Sequence, residues 1–227
     1  MGIIRAIRKW FACPSKLSMV RGRMSQPGAV LLDVGCGNHS PSSTKKYFPK
    51  CVYHGIDKCM YHQYEADIQC MDKFYDIDMD DPHGLDVVDT KYDAIICNHL
   101  LEHLADPYSV VERLAGKLKP GGIFYIEGPS PRSLKLPRAA KGFGLIRGTL
   151  NFYDDDSHHT FVDLFKVAEI LIRQGLKVST PKTRRTARGI ALLPYLITKD
   201  LVHRGYIDAA VVWEVVGFAQ YIVAERD

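Results

Sequence analysis

Short apolar runs closed by glycine or aspartate recur through the first half of the chain: Val30 to Val34, Val52 to Ile56, Tyr92 to Cys97 and Ile123 to Ile126. Runs of this length and apolarity suit strands buried on both faces. Between the last two, Pro107 to Leu118 places Val110, Val111, Leu114 and Leu118 at helical spacing, and Lys119-Pro120-Gly121-Gly122 stops that helix. Strand, helix, turn and strand in succession predict an α/β fold with a parallel sheet covered by helices. The ligand crevice of such a sheet lies beyond the carboxyl ends of its strands.

The flanking segments read differently. Before Gln26-Pro27-Gly28, the residues Ile3, Ile4, Ile7, Trp10 and Phe11 are interrupted by Arg5, Arg8 and Lys9 at roughly helical spacing. Residues 1–26 therefore read as a cap or lid helix outside the sheet, with a weak contact to an anionic membrane surface as a second expectation. After Gly128-Pro129 an irregular stretch rich in Pro, Gly, Lys and Arg runs to about Gly148, a loop or lid beside the crevice. Thr160 to Gln174 returns to helical spacing, and Gly175 stops it. The apolar runs Ala209 to Val216 and Phe218 to Ala224, hinged at Gly217, are expected to form the last strands.

Composition narrows the class. With 227 residues, one domain is expected, and a hydrophobic share of 46% beside 25% charged residues is that of an ordinary globular chain. The net charge of +4 is too small to indicate a nucleic-acid partner. No apolar run reaches the roughly 18 residues of a membrane span, and no secretory signal opens the chain, so a cytoplasmic location is expected. Cys13, Cys36, Cys51, Cys59, Cys70 and Cys97 form no C-x-x-C pair and read as thiols.

Chemistry concentrates at Leu31-Leu32-Asp33-Val34-Gly35-Cys36-Gly37-Asn38, where a strand runs into two glycines separated by one residue. Only glycine lets a ligand approach the backbone that closely. Asp57 follows the next strand, where a carboxylate can accept both hydroxyls of a ribose. Together these residues predict a nucleoside pocket.

Five motifs then occur in order: Leu-Asp-Val-Gly-Cys-Gly, Gly55-Ile56-Asp57, Tyr92-Asp93-Ala94-Ile95-Ile96-Cys97, Leu101-Glu102-His103-Leu104 and Leu118-Lys119-Pro120-Gly121-Gly122. With them the chain resembles the class I S-adenosylmethionine-dependent methyltransferases, of the small-molecule type 11-like kind, most clearly over residues 29–127. The resemblance implies a Rossmann-like doubly wound sheet of seven strands in the order 3-2-1-4-5-7-6, the last antiparallel, with helices on both faces. It divides a single domain, 1–227, into a cofactor-binding half, 27–129, and an acceptor-side half, 130–227. By the same resemblance Asp33, Gly35, Cys36 and Gly37 surround the methionine end of the cofactor, and Asp57 holds the ribose. Asp78 meets the adenine amino group, with Asp76 its rival by register, Met79 offers its amide, and Asn98 and His99 line the methionine moiety.

Other patterns compete. His99-Leu100-Leu101-Glu102-His103 has the H-x-x-E-H spacing of a zinc protease helix but follows directly on a strand, and no metal is assigned. Tyr195 to Lys199 has the spacing of a dehydrogenase proton-transfer pair but lies late in the chain, and Ser40 stands where a dinucleotide loop wants a third glycine. In Asp154-Asp155-Asp156-Ser157-His158-His159 the acids are expected to cap the following helix. His158 is the candidate base and His159 its substitute. Arg184, Arg185 and Arg188 read as a solvated face or a clamp for an anionic acceptor. The expected activity is methyl transfer from S-adenosylmethionine to a small-molecule, sugar or lipid-linked acceptor. A non-catalytic cofactor-binding subunit is the alternative, and an NAD(P)-dependent dehydrogenase comes after it.

Overall fold

The computed structural model describes residues 13–139 and 142–227. Strands β1 (Val30–Val34), β2 (Val52–Asp57), β3 (Lys73–Asp76), β4 (Tyr92–Asn98), β5 (Leu118–Pro129), β6 (Leu176–Val178) and β7 (Ala219–Arg226) form one sheet in the order β3-β2-β1-β4-β5-β7-β6. The pairs among β1 to β5 are parallel, whereas β7 runs antiparallel to β5 and β6. This is the order and sense expected. The two-residue Lys182–Thr183 also pairs with β7.

Alternation along the strands divides the interior into two cores. Leu32, Val34, Ile95, Phe124 and Ile126 face one side, beneath α5 (Pro107–Ala115) and α6 (Leu164–Arg173), which contribute Val110, Val111, Leu114, Val167 and Leu171. Leu31, Ile96 and Tyr125 face the other, against Leu17 of α1 (Ser15–Met19), Met24 of α2 (Arg21–Met24) and Tyr47 of α3 (Ser40–Tyr47). The short helix α4 (Glu65–Ile68) lies between β2 and β3. Of the basic amphipathic run, Ile3 to Phe11 lies outside the described residues.

Local chemistry accounts for the helix boundaries. Helix α5 starts at Asp106, whose side chain accepts from the Ser109 amide, with Pro107 in the first turn. It ends at Ala115, three residues before the expected Leu118, because Leu118 to Gly122 join β5. Asp163 caps α6 by accepting from the Phe165 amide, so that helix begins at Leu164 and not at Thr160. The acids before it do other work: Asp154 gathers the amides of Ala139, Leu150 and Asn151, and Asp155 accepts from Ser157.

The carboxyl end corrects another expectation. Ala209–Val216 is a helix, preceded by the long helix Ala187–Arg204; these are α8 and α7. Asp208 caps α8 through the Ala210 amide, and Gly217 at φ 72° ends it. An apolar run of this length satisfies either period, and the caps decide. The sheet's sixth strand is instead the three-residue β6, directly after Gly175. Residues 130–139 and 142–148 are irregular apart from a single turn at Ser133–Lys135, and Ile146–Arg147 pairs with Ile207–Asp208.

Candidate active site

The carboxyl ends of β1, β2 and β4 converge on a cavity of about 610 Å³. Gly35, Gly37, Asn38, Asp57, Asn98, His99 and Leu100 line it from the sheet side. A slot of about 270 Å³, walled by Ile77, Asp78, Met79 and Leu104, shares Gly35, Asp57 and Leu100 with it. Gly35, Gly37, Asp57, Asp78, Met79, Asn98 and His99 are thus brought together, in two joined spaces. Asp76 is exposed on β3 and is not on either wall.

The glycine loop owes its shape to backbone contacts. The amides of Gly35 and Cys36 donate to the Ile56 carbonyl, and Gly35 takes φ 74°, a conformation costly for other residues. A Cβ on Gly35 would stand 3.3 Å from Leu100 Cβ, and one on Gly37 would stand 3.0 Å from the Tyr61 carbonyl oxygen. Bare backbone therefore forms this part of the wall. Burial raises the Asp57 carboxyl above its ordinary value, against the pull of the Lys58, Cys59 and Gly37 amides. A carboxylate acceptor at Asp57 and an apolar slot with Asp78 at its rim are groups of the kind a nucleoside requires. S-adenosylmethionine fits this lining.

Two expected contacts sit beneath the wall. Asp33 is fully buried: its Oδ2 accepts from the Tyr53 hydroxyl at 2.8 Å and from Ser40 Oγ, and Lys16 Nζ lies 3.6 Å away. Alternation turns Asp33 to the α1 and α3 side, so it ties the loop to that core. The Cys36 side chain is likewise buried, and burial together with the Asp33 charge pushes its thiol pKa up. Ser40, where a third glycine would stand, joins Asp33 to Lys16, its Oγ being 2.7 Å from Lys16 Nζ.

The floor of the cavity is ionic. His99, at φ 51°, places Nδ1 2.9 Å from Glu102 Oε1 and Nε2 3.2 Å from Glu127 Oε1. Two carboxylate partners require both ring nitrogens to donate. Burial opposes the charge, yet the hydrogen bonds and charges of Glu102 and Glu127 outweigh it, and the His99 pKa rises to about 9. Burial also opposes ionised Glu127, but His99 and Arg184 hold its pKa low. Arg184 lies 3.1 Å from Glu127 and 3.4 Å from Glu214, so it serves this network and is not an open anion clamp. Arg188 donates to the Cys13 carbonyl.

The opposite wall comes from the second half of the chain. Thr149, Trp213, Phe218 and His158 line it. Trp213 stacks on Phe218 at 4.3 Å and donates Nε1 to the Thr149 carbonyl. His158 is packed against Phe152, with Nδ1 2.6 Å from the Phe152 carbonyl and Nε2 3.9 Å from Asp155 Oδ2. A carbonyl partner fixes the proton on Nδ1 and leaves Nε2 as an acceptor. His159 lines the slot. One donor atom each from Glu102, His103 and His158 lie within 4.8 Å of one another, a set able to hold a cation, and Glu102 Oε2 is buried without a partner. Tyr195 and Lys199 are exposed on α7 and do not line the cavity.

Lys16, Tyr61, Leu100, Thr149 and Phe218 enter the wall without a sequence signal. Only the tertiary fold brings α1, Thr149 and Phe218, just past the end of α8, to the ends of β1 and β4. Glu127 had one readable mark, an acid closing an otherwise apolar strand.

Residues 7–180 match the family model described as a methyltransferase domain. A ubiquinone biosynthesis O-methyltransferase of Xanthomonas campestris pv. campestris is 28% identical over 166 residues, covering 69% of this chain and 65% of the relative. The chain thus spans just under two thirds of that relative's length. A methyltransferase of Archaeoglobus fulgidus described as SAM-dependent superposes over 98% of this chain and 94% of its own, with TM-score 0.56 and 19% identity. A plantazolicin methyltransferase, solved with SAH and a triazolic desmethylPZN analog, superposes over 96% of this chain and 84% of its own, with TM-score 0.59 and 15% identity.

Proposed function

Because the chain belongs to the methyltransferase family and has the class I S-adenosylmethionine-dependent fold, we propose that it transfers the methyl group of S-adenosylmethionine to a hydroxyl of a small-molecule acceptor, with His158 as general base. The observation that carries this reading is a single cavity walled by the glycine loop and Asp57 on one side and His158 on the other. The O-methyltransferase name of the Xanthomonas relative supports a hydroxyl acceptor.

Gly35 and Gly37 would take the methionine end, Asp57 the ribose, and Asp78 with Met79 the adenine. Asn98 and His99 would border the methionine moiety. The bound cofactor supplies an electrophilic methyl on its sulfonium. What remains for the protein is alignment and proton removal, and orientation alone is worth about 7 to 11 kcal/mol of barrier. Trp213, fixed by Phe218 and Thr149, gives the acceptor a flat apolar wall. His158 Nε2 takes the hydroxyl proton, with Nδ1 anchored on Phe152. The imidazolium so formed gains from the Asp155 carboxylate, whose own pKa, raised by burial, is held low on balance by the Ser157 hydrogen bonds.

His158→Gln tests this. Turnover of a phenolic acceptor should fall about 100-fold or more, with affinity for S-adenosylhomocysteine unchanged. Equal turnover in the variant would remove His158 from the reaction. Cofactor binding by the wild type with no turnover of any hydroxyl acceptor would favour a non-catalytic subunit.

A further inference from the structure

We propose that the outer face of α7, with the adjoining Phe143 to Arg147 segment, is a contact for an anionic phospholipid surface. Helix α7 is Ala-Arg-Gly-Ile-Ala-Leu-Leu-Pro-Tyr-Leu-Ile-Thr-Lys-Asp-Leu-Val-His-Arg, and only its Asp200 is buried. A helix this apolar ordinarily hides a continuous stripe against its own protein. Here Leu192, Leu193, Leu196, Ile197 and Leu201 are covered in large part but none is buried, and Tyr195 and Val202 are 65% and 74% exposed.

Tyr195 and Val202 lie on one side of the helix, seven residues and thus two turns apart, with exposed Thr198 between them and exposed Ala191 one turn before Tyr195. The patch continues past the helix end. Exposed Tyr206 precedes Ile207, whose amide donates to the Leu145 carbonyl, and Leu145 and Phe143 are themselves exposed.

Charge selects the occupant. The one acid of α7, Asp200, is turned inward and accepts from the Asp208 amide. The exposed ionisable groups left on α7 are Lys199, His203 and Arg204, and Arg147 stands exposed beside Leu145. Arg204 is shared with Asp208 at 3.0 Å. An apolar face with tyrosines and cations on its polar border is the pattern of a helix lying in a lipid interface, where long cationic side chains reach the headgroups. The same helix packs on α8, whose Trp213 lines the cavity, so a lipid-dissolved acceptor would meet the protein next to its site. That last point rests on the methyl-transfer reading; the lipid contact itself does not. No helix among the described residues is long and apolar enough to cross a membrane, so the contact is with the surface.

Flotation of the full chain with phosphatidylcholine vesicles, with and without phosphatidylglycerol, tests the proposal. The wild type should rise with the anionic vesicles and be released by salt. Tyr195→Asp with Val202→Asp should weaken that binding about tenfold or more, and Lys199→Glu with His203→Glu should abolish the preference for phosphatidylglycerol. Affinity for S-adenosylhomocysteine, measured on the same samples, should not change. The charge reversal, at exposed positions, serves if the aspartates impair folding. Three results would overturn the proposal: no flotation, flotation that survives both pairs but is lost when Ile3, Ile7 and Trp10 are replaced, or self-association that the aspartates remove without any vesicle binding. Loss of cofactor affinity in the wild type would count against the methyl-transfer reading alone.

Discussion

Replacing His99 by glutamine perturbs the cavity floor in a way that pH resolves. In the folded chain Glu102 and Glu127 raise the His99 pKa to about 9, against about 6.5 in an unfolded chain. A raised folded value means that the unfolded state binds fewer protons between the two, so stability falls as pH rises through that window. At about 1.36 kcal/mol per pKa unit, the contribution is about 3 kcal/mol, complete below pH ~6.5 and lost as pH passes about 9. Urea unfolding of wild type and His99→Gln, followed by circular dichroism from pH 6 to 10, would measure it. The variant should be less stable by about 2 to 3 kcal/mol near neutrality, and the gap should close toward pH ~10. Groups that titrate alike in both proteins cancel in the difference. A gap that stays constant or widens with rising pH would refute the imidazolium between two carboxylates.

Asp57→Ala removes the carboxylate assigned to the ribose, and hydrogen bonds to a charged group are worth about 1.5 to 3 kcal/mol. Calorimetry should therefore show S-adenosylhomocysteine affinity reduced roughly 10- to 100-fold, and an unchanged affinity would move the ribose elsewhere. Among the thiols, Cys59 is exposed whereas burial pushes Cys36 and Cys97 up. Iodoacetamide on the native protein at pH 8 should label Cys59 well before either, as read by peptide mass spectrometry. Early labelling of Cys97 would contradict the packing of β4.

The first five strands were legible because their signals are local. A strand running into Gly35 and Gly37, an acid closing β2, and helix α5 between β4 and β5 each occupy one short segment. The second half was less so. Ala209 to Val216 satisfies strand and helix alike until Asp208 and Gly217 are seen as caps, and β6 is too short to show as an apolar run. The family resemblance places Asp33 at the wall; strand alternation turns it to the opposite core, where Tyr53, Ser40 and Lys16 hold it. The His99, Glu127, Arg184 and Glu214 network draws on segments far apart in sequence, and no spacing rule links them.

Titration of the purified chain with S-adenosylmethionine by calorimetry bears most directly on the assignment of the cavity. Saturable binding that S-adenosylhomocysteine displaces and that Asp57→Ala weakens is the result expected. No heat with either compound, or saturable uptake of NAD in their place, would contradict it.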